Sequence, residues 1–390
     1  MSEIRVPFQD FRAAYHELKD EFDVAYHRFM ESGWFVLGKE TIGFEEEYAS
    51  YCESSHCVGV ANGLDALRLA LLAIGVGPGD EVIVPSNTYI ATWLAVTQIG
   101  AIPVPVEPDS ATFNINPTLI EESVSSRTKV LLAVNLYGQP CDYFAILEIA
   151  SKHGIKVVID NAQAQGARYQ GRRVGGIADI ECHSFYPSKN LGAYGEAGAI
   201  TTNDVNLADK VRILRNYGSR VRYHNEVVGY NSRIDELQAA FLRVKLPKLD
   251  EWNARRAAVA KQYVEALMLQ TQANSSLDTE ICKAHNSNLK IVLPQVPDWA
   301  EPVWHLFVIR HPERDLLQKH LTEQGIQTII HYPIPPHRSG AYADAILKIG
   351  QSKLPVAEQM ANEVLSLPVG PHMPGWHVDA VVAALRNFRS

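Results

Sequence analysis

The sequence lacks the features of a membrane, nucleic-acid-binding or secreted protein. No apolar run among its 390 residues is long enough to cross a bilayer. Basic residues are not in excess, since the chain has 36 Lys and Arg, 44 Asp and Glu, and a net charge of −8. A nucleic-acid-binding protein, in contrast, should have a basic surface. The first residues are charged and amphipathic, unlike a signal peptide. We therefore expect neither a membrane nor a nucleic-acid partner.

Paired cysteines are also missing. The five cysteines are scattered along the chain, at positions 52, 57, 141, 182 and 282. Cys52 and Cys57 have no matching second pair, so they do not predict a zinc site. Scattered cysteines are typical of free thiols in a reducing compartment, which favours a cytoplasmic location.

What the chain does contain is a long alternation of apolar strands and amphipathic helices. Strands are predicted at 57–60, 81–86, 101–108, 129–138, 156–163, 180–186, 303–310 and 326–332, and helices at 9–31, 42–51, 87–100, 117–125, 142–153 and 315–325, with two more on either side of Pro247 within 232–268. Continuously apolar strands alternating with helices indicate an α/β protein whose mostly parallel sheet is covered on both faces. We expect a large domain at residues 1–248 and a smaller C-terminal α/β domain at 249–390.

The most informative stretch runs from Asp179 to Gly198. A short apolar strand leads through Pro187 and Ser188 to Lys189, and a glycine-rich segment follows. Glycines allow the backbone to approach a bulky ligand closely. A lysine at this point can form an imine with an aldehyde once burial lowers the pKa of its ammonium. Taken alone, Lys189 is more simply explained as a solvated loop residue.

Asp160 favours a ligand-binding role for Lys189 over that of a solvated loop residue. It ends the apolar run of the strand predicted at 156–163. Taken alone, a carboxylate there caps the next turn more often than it binds a ligand. However, ligands of parallel sheets lie at the carboxyl ends of the strands, and Asp160 and Lys189 are expected at neighbouring ends. One lysine and one carboxylate are what pyridoxal 5'-phosphate requires: the lysine holds the aldehyde, and the carboxylate keeps the pyridine nitrogen protonated.

A third feature is the strand–turn–helix segment around Asn62 and Gly63. A glycine at the start of a helix leaves backbone N–H groups free, and the helix dipole favours an anion there. Gly63 therefore marks a candidate phosphate site, although the signal alone is weak. The later segment GVGPGD is not a dinucleotide-binding fingerprint, because Pro78 interrupts it and a strand follows it.

These segments resemble the DegT/DnrJ/EryC1/StrS family of sugar aminotransferases. The likeness covers nearly the whole chain, through DNAQAQGARYQGRRVG, HSFYPSKNLGAYGEAGAITT, VANGLDALRLAL, GDEVIVPSNTYIATWLAV, LRNYGSR, NSRIDELQAAFLRVKL, WHLFVIR and HYPIPPH, in the family's order. The resemblance implies the aspartate-aminotransferase-like fold (pyridoxal-phosphate fold type I), with a large sheet domain and a smaller C-terminal α/β domain. NTYIATWLAV, WHLFVIR and HYPIPPH look most like the branch that acts on nucleotide-linked 3-keto-6-deoxyhexoses.

The resemblance also implies cofactor roles, residue by residue. Lys189 would carry the imine and move the proton, and Asp160 would pair with the pyridinium. The other cofactor contacts implied are Gln163 on the ring hydroxyl, Tyr89 on the ring face, Gly63, Leu64 and Ser184 on the phosphate, and Asn231 on the phosphate of a neighbouring subunit. The last of these implies a homodimer with shared active sites. Many family members have Thr at the position of Leu64, so that one hydroxyl contact is absent here.

Substrate contacts are implied at Tyr217, Arg220, Tyr223, His331, Tyr332 and Gln165. Many members have His at the position of Gln165, near the sugar, and His183 is also unusual. The segment holding Tyr217, Arg220 and Tyr223 is expected to cross to the partner and meet the nucleotide diphosphate, where Arg suits phosphate; an exposed loop is the simpler interpretation for most of it. His331 and His337 have no acidic or cysteine neighbour in the sequence, so no metal site is expected.

The resemblance implies an aminotransferase that moves an amino group from L-glutamate to C3 of a dTDP-linked 3-keto-6-deoxyhexose, with pyridoxamine phosphate formed between the half-reactions. Three alternatives stay open. One is an aminotransferase for a 4-keto or other nucleotide-linked sugar. A second is a sugar dehydratase of the same fold, against which Lys189 argues because those enzymes resemble this chain but carry His there. The third is a non-catalytic cofactor-binding regulator.

Overall fold

A computed structural model of the protein describes residues 4–268, 285–286, 289–342 and 353–389. Its helices are α1 (Phe11–Glu17), α2 (Lys19–Ser32), α3 (Lys39–Tyr51), α4 (Gly63–Ile74), α5 (Ala91–Thr97), α6 (Tyr143–His153), α7 (Val205–Leu214), α8 (Glu236–Lys245), α9 (Leu249–Met268), α10 (Arg314–Glu323), α11 (Pro355–Glu363) and α12 (Gly375–Asn387). Its strands are β1 (His56–Val60), β2 (Glu81–Pro85), β3 (Ile102–Val106), β4 (Thr128–Val134), β5 (Lys156–Asp160), β6 (Arg168–Tyr169), β7 (Arg172–Arg173), β8 (Ile180–Ser184), β9 (Gly198–Thr202), β10 (Ser219–Val221), β11 (His224–Asn225), β12 (His285–Asn286), β13 (Ile291–Val292), β14 (Ala300–Glu301), β15 (Phe307–Arg310) and β16 (Val364–Leu367).

The main sheet has the strand order β1-β9-β8-β5-β4-β2-β3. All neighbours from β8 to β3 pair in parallel, whereas β9 runs antiparallel to β8 and β1 on its two sides. β1, β5 and β8 therefore end at the same edge of the sheet. The expected α/β fold with a mostly parallel sheet is confirmed.

Helix α4 shows how the sequence builds the layer over this sheet. Asn62 caps its start, since the side chain accepts a hydrogen bond from the Asp65 N–H, and Gly75 ends it in a left-handed conformation. Its alanines and three of its leucines are buried in the largest apolar cluster, which also includes residues from β1, β2, β4 and α5. This packing fixes the start of α4 above the edge at which β1 ends.

A second, antiparallel sheet has the order β12-β13-β15-β16. Its apolar cluster combines strand residues with α9, α10 and α12, and also includes Val6 from the start of the chain. Val6 forms a parallel bridge with Ile326, so the N-terminal segment packs with the C-terminal part. The division of the chain at residue 248 stays a prediction.

Several element predictions need correction. Residues 9–31 form two helices, because Leu18 has φ −124° and interrupts the helix. Residues 326–332 do not form a strand: Ile326 and Ile329 make only isolated bridges, and β16 pairs with β15 instead. The alternation of that segment is compatible with a strand, but pairing depends on which segment reaches the edge of β15.

Two shorter corrections concern turns. Residues 117–125 contain two 3-10 turns, Pro117–Leu119 and Glu121–Ser123, in place of one helix. The predicted strand 129–138 ends at Val134, since a 3-10 turn at Leu136–Gly138 follows, with Tyr137 at φ 60°. This turn brings Tyr137 to the edge where β5 ends.

Two expectations about composition can be compared with the structure. Cys52, Cys57, Cys141 and Cys182 are free and buried, as predicted for thiols, and Cys282 lies outside the described residues. Among the described helices, none combines the length and apolar character that a transmembrane span requires.

Candidate active site

A cavity of about 690 Å³ opens at the shared edge of β1, β5 and β8. Most of the predicted site residues line it together: Gly63, Leu64, Tyr89, Asp160, Gln163, Ser184, Lys189, His331 and Tyr332. Strand register explains the convergence, because Gly198 of β9 pairs with Val60 on one side and with Ser184 on the other. On the far side of β8, Asp160 pairs with Cys182. Segments about a hundred residues apart in the sequence are thus neighbours here.

The loop after β8 holds Lys189. The Lys189 N–H donates to the Tyr186 carbonyl at 2.8 Å, which closes the turn through Pro187. A Cβ on Gly192 would lie 2.3 Å from the Pro187 oxygen, so this glycine lets the loop fold against itself. The loop glycines thus serve contacts within the chain, whereas the sequence suggested close approach to a ligand.

The charge state of Lys189 is set mainly by burial. Desolvation lowers the pKa of Lys189 to about 8, and the nearby Asp160 carboxylate opposes part of that shift. Its ammonium makes no hydrogen bond to any residue that the structure describes. A substantial share of this lysine is therefore neutral near pH 8, which is the form that attacks a carbonyl.

Asp160 is buried, with 6 % of its surface exposed. Its carboxylate accepts from the Ala162 N–H at 3.0 Å and from the Thr92 hydroxyl at 3.1 Å. Burial raises the pKa of Asp160, while the Ala162 N–H, Lys189 and Thr92 pull it down. A cation in the cavity would favour the ionised form of this carboxylate further.

The start of α4 forms the anion-binding wall of the cavity. The Asn62 side chain accepts from the Asp65 N–H at 2.8 Å, whereas the first-turn N–H groups of Gly63 and Leu64 have no intrahelical acceptor. A Cβ on Gly63 would lie 2.6 Å from the Ser184 Cβ, so only glycine lets the helix start approach β8 this closely. Ser184 lines the cavity beside these N–H groups.

These residues fit pyridoxal phosphate. A cradle of free N–H groups at a helix start suits its phosphate, a buried carboxylate suits its pyridine nitrogen, and a lysine with a lowered pKa suits its aldehyde. The cradle depends on Gly63, since a side chain there would collide with Ser184.

The model of the DegT/DnrJ/EryC1/StrS aminotransferase family matches residues 16–386. The chain belongs to this family.

Three curated relatives show how close the likeness is. The erythromycin biosynthesis sensory transduction protein EryC1 of Saccharopolyspora erythraea is 51% identical over 92% of both chains. The dTDP-3-amino-3,4,6-trideoxy-alpha-D-glucose transaminase of Streptomyces venezuelae is 49% identical, over 92% of this chain and 89% of the relative. The dTDP-3-amino-3,6-dideoxy-alpha-D-galactopyranose transaminase of Aneurinibacillus thermoaerophilus is 49% identical over 92% of both.

The fold is shared with solved family structures. The crystal structure of S. venezuelae DesV in complex with a ketimine intermediate superposes with a TM-score of 0.89, at 48% identity, covering 98% of both chains. The expected aspartate-aminotransferase-like, fold-type-I architecture of this family member is thereby confirmed, and so is its class as an aminotransferase.

Gln163, Tyr332 and Tyr137 form a connected group on one side of this aminotransferase's cavity. The Gln163 side-chain oxygen accepts from the Tyr137 N–H at 2.6 Å, and its amide nitrogen donates to the Tyr332 hydroxyl at 3.0 Å. The Tyr137 hydroxyl donates to the His331 carbonyl. Tyr89, 54 % exposed, has its ring 5.3 Å from that of Tyr332. Gln163 is thus held in place, and Tyr89 is accessible to a ligand ring.

His305 is a cavity residue that the sequence did not single out. The Asn190 amide nitrogen donates to the Asn253 side-chain oxygen at 2.8 Å and to the Val303 carbonyl at 3.0 Å, which fixes the amide orientation. The Asn190 oxygen must therefore accept from His305 Nδ1, 3.1 Å away, leaving Nε2 of His305 unprotonated. Burial lowers the pKa of His305, so this neutral tautomer persists.

His331 is the other cavity histidine. Its Nδ1 lies 2.8 Å from the Ser366 hydroxyl, and burial, reinforced by Lys189, lowers its pKa to about 4. The neighbouring His337 pairs with Glu358 at 3.1 Å, an acidic partner that the local sequence did not reveal. Within the described residues, no group of three or more His, Cys, Asp or Glu side chains could hold a metal ion.

Five predicted residues lie away from the cavity lining in this chain. Asn231 is exposed and accepts from Arg233. Tyr217, Arg220 and Tyr223 lie on or beside the β10–β11 hairpin; Tyr223 is 81 % exposed, and Arg220 pairs with Asp209 at 2.7 Å. Gln165 is buried beneath the cavity.

Two polar residues under the cavity belong to the interior of the protein. The Gln165 amide donates to the Ser184 carbonyl at 2.7 Å, so Gln165 supports the end of β8. His183 lies 2.9 Å from both the Tyr48 and Thr201 hydroxyls and is buried. These contacts account for the burial of both side chains, and the substrate contact implied for Gln165 stays a prediction.

Proposed function

We propose that this chain is a pyridoxal-phosphate-dependent aminotransferase that moves an amino group from L-glutamate to C3 of a dTDP-linked 3-keto-6-deoxyhexose, in deoxyamino sugar biosynthesis. The observation that carries the proposal is the placement of Lys189, Asp160 and the Gly63 helix start around one cavity. The family to which the chain belongs supports it. A cytoplasmic location remains part of the proposal.

The substrate class is supported by the names of two relatives. Both are transaminases of dTDP-linked 3-amino-6-deoxy sugars, and they differ at C4, which is deoxygenated in one product and has the galacto configuration in the other. What the two share, the dTDP group and the amino group at C3, is what we carry over to this chain. A dehydratase is not favoured, because a lysine occupies position 189.

Each cavity residue has a role in this reaction. Pyridoxal phosphate, when bound, accepts electrons from the carbon that loses a proton and stores the amino group as pyridoxamine phosphate between the half-reactions. The Gly63 and Leu64 N–H groups with the Ser184 hydroxyl would hold its phosphate, and Asp160 its ring nitrogen. Gln163 would hold the ring hydroxyl and Tyr89 would cover the ring.

Lys189 would act as the general acid and base. With a pKa of about 8, its amine can both take up and release a proton near neutral pH. His305 presents an unprotonated Nε2 in the same cavity, and His331 and Tyr332 form the wall that a sugar would face. The neutral state of both histidines keeps further positive charge away from Lys189.

We also propose a homodimer in which the partner completes each site. Asn231, Tyr217, Arg220 and Tyr223 are not in the cavity of their own chain. Val228 beside them is 88 % exposed, an apolar side chain left in solvent. In the dimer, these residues would contact the ligands bound in the partner subunit's cavity, namely the phosphate of the cofactor and the nucleotide diphosphate.

The test of the function is the visible spectrum of the purified protein before and after addition of L-glutamate. We expect a yellow band that bleaches with L-glutamate and returns on addition of the dTDP-linked 3-keto-6-deoxyhexose. A return of the band only with a 4-keto sugar would change the substrate and keep the reaction class. No band after incubation with pyridoxal phosphate would overturn the cofactor assignment, and with it the function.

A further inference from the structure

A second cavity, of about 390 Å³, lies behind the loop that holds Lys189. Its wall combines loop residues 187–190 and 192–194 with N-terminal residues 7–11 and residues 370–374 before α12. Its volume is at the lower end of the range for small-molecule sites, about 300–1,000 Å³. Apart from Ser188 and Lys189, its wall shares no residue with the cavity of the aminotransferase reaction.

Arg256 of α9 lines this cavity without a negatively charged partner. The side chain is buried, with 6 % of the residue exposed. One N–H donates to the Val369 carbonyl at 3.2 Å, and Nε has no hydrogen-bond partner. Among the described residues no carboxylate pairs with this guanidinium. Buried charges are normally paired, so an unpaired guanidinium at a cavity is a candidate site for an anion.

Lys245 of α8 is a second buried cation in the same wall. It is 4 % exposed, donates to the Gly192 carbonyl at 2.6 Å and lies 3.7 Å from the centre of the Tyr194 ring. These contacts are to a neutral oxygen and an aromatic ring, so the lysine also lacks an acidic partner within the described part of the chain. Two buried cations therefore share one cavity.

The acidic groups nearby do not neutralise them. Asp10, in the cavity wall, is exposed and caps α1 by accepting from the Arg12 N–H. Glu17 is engaged by Arg255 at 3.0 Å and by His372 at 2.5 Å. Among the described residues, therefore, no acidic group neutralises the positive charge in this cavity.

We propose that this cavity binds a small organic carboxylate through the guanidinium of Arg256. The planar fork of an arginine matches a carboxylate, which it can bind with two parallel hydrogen bonds. Much of the remaining wall is apolar, including Phe8, Trp252 and Met373, and suits the carbon skeleton of such an acid. A phosphate dianion is less well matched, because burial lowers the pKa of Lys245 to about 7 but that of Arg256 only to about 10, so that of these two side chains only Arg256 stays fully charged at neutral pH.

The site borders the reacting lysine. Ser188 and Lys189 contribute to the walls of both cavities, so an acid bound behind the loop would stabilise the loop in the conformation described. The binding itself does not depend on the proposed aminotransferase activity, and it is testable without turnover.

The experiment is calorimetric titration of the holoenzyme with butyrate, which cannot act as an amino donor. We expect saturable binding of one butyrate per chain, at least tenfold weaker binding in Arg256→Met, and unchanged binding in Lys261→Met. Lys261 is a matched control because it lies on the same helix, carries the same charge and is exposed, with 75 % of its side chain accessible. Arg256→Lys, which keeps the charge but not the fork, should bind with intermediate affinity and serves if Arg256→Met does not fold.

Two results would overturn the site: no saturable binding by the unmodified protein, or equal affinity in the unmodified protein and the Arg256 variants. Tighter binding of inorganic phosphate than of butyrate would overturn the carboxylate assignment. Competition by 2-oxoglutarate would support the site and identify the acid as the keto acid of the amino donor. Butyrate binding without such competition would support the site for a different carboxylate.

Discussion

The loop around Lys189 separates two cavities, each with a lysine of lowered pKa in its wall. Lys189 faces the main cavity, where Asp160 opposes the effect of burial, and its pKa is about 8. Lys245 lines the second cavity, where none of the described residues is an acidic partner for it, and its pKa is about 7. Desolvation is the largest cause of both shifts.

This comparison shows that a lowered lysine pKa does not by itself identify a reactive residue. Lys189 is distinguished by the groups that line the same cavity. These are the buried Asp160 carboxylate, the helix start at Gly63 and two neutral histidines. Lys245 instead contacts a backbone carbonyl and the ring of Tyr194. The proposed reaction requires all of these groups together, and substitution of each group tests its contribution.

The largest effect is expected from Lys189→Ala. Turnover should fall by at least about 1,000-fold, because the imine and the general acid–base are lost together. Borohydride reduction followed by mass spectrometry should find a pyridoxyl adduct on Lys189 in the unmodified protein and in Lys245→Met. An adduct on Lys245 in the unmodified protein, or the loss of the adduct in Lys245→Met, would show that the two lysines had been assigned the wrong way round.

A smaller effect is expected from Asp160→Asn, which keeps the shape of the side chain and removes its charge. The affinity for pyridoxal phosphate should fall about 10- to 100-fold, since a hydrogen bond to a charged group contributes about 1.5–3 kcal/mol. The apoprotein should stay folded, because burial already disfavours the charged form. Fluorescence titration with the cofactor measures the change. Unaltered affinity would remove Asp160 from the cofactor site.

Gly63→Ala tests the helix start in the wall of the main cavity. Its Cβ would lie 2.6 Å from the Ser184 Cβ, so we expect a loss of about 1–3 kcal/mol of stability together with weaker phosphate binding. Gly77→Ala is the matched control, since a Cβ there meets nothing within 4 Å. Thermal unfolding with and without cofactor measures both effects. Equal behaviour of the two variants would contradict the close approach of α4 to β8.

The smallest effect concerns the pH dependence of stability in the apoprotein. Because the pKa of Lys245 is lowered from 10.5 to about 7 in the folded state, the unfolded chain binds more protons between about pH 7 and pH 10.5, and stability should rise with pH in that window. Lys245→Met should flatten the rise by up to about 1.4 kcal/mol per pH unit. Urea unfolding at several pH values measures it, and an unchanged slope would mean that Lys245 is not desolvated.

Much of the fold and the site could be predicted from the sequence because the signals were local. Three signals, namely the apolar run that ends at Asp160, the strand that leads to Lys189 and the glycine that opens α4, each span only a few residues of the chain. Parallel strands end at one edge of a sheet, so these local signals predicted one cavity. The missed elements, such as the supposed strand at 326–332, depended on which segment would reach the edge of β15.

The sequence by itself determined the chemistry of the individual residues and the alternation that makes an α/β sheet, since both follow from residue type and spacing. Only the tertiary structure decided the tautomer of His305, the acidic partner of His337, the burial of Gln165 and the absence of a described acidic partner for Arg256. Each of these depends on residues distant in the chain, from about 20 positions for His337 and Glu358 to more than a hundred for Asn190 and His305. A local sequence pattern cannot predict such contacts, because residues so far apart in the chain meet only in the folded structure.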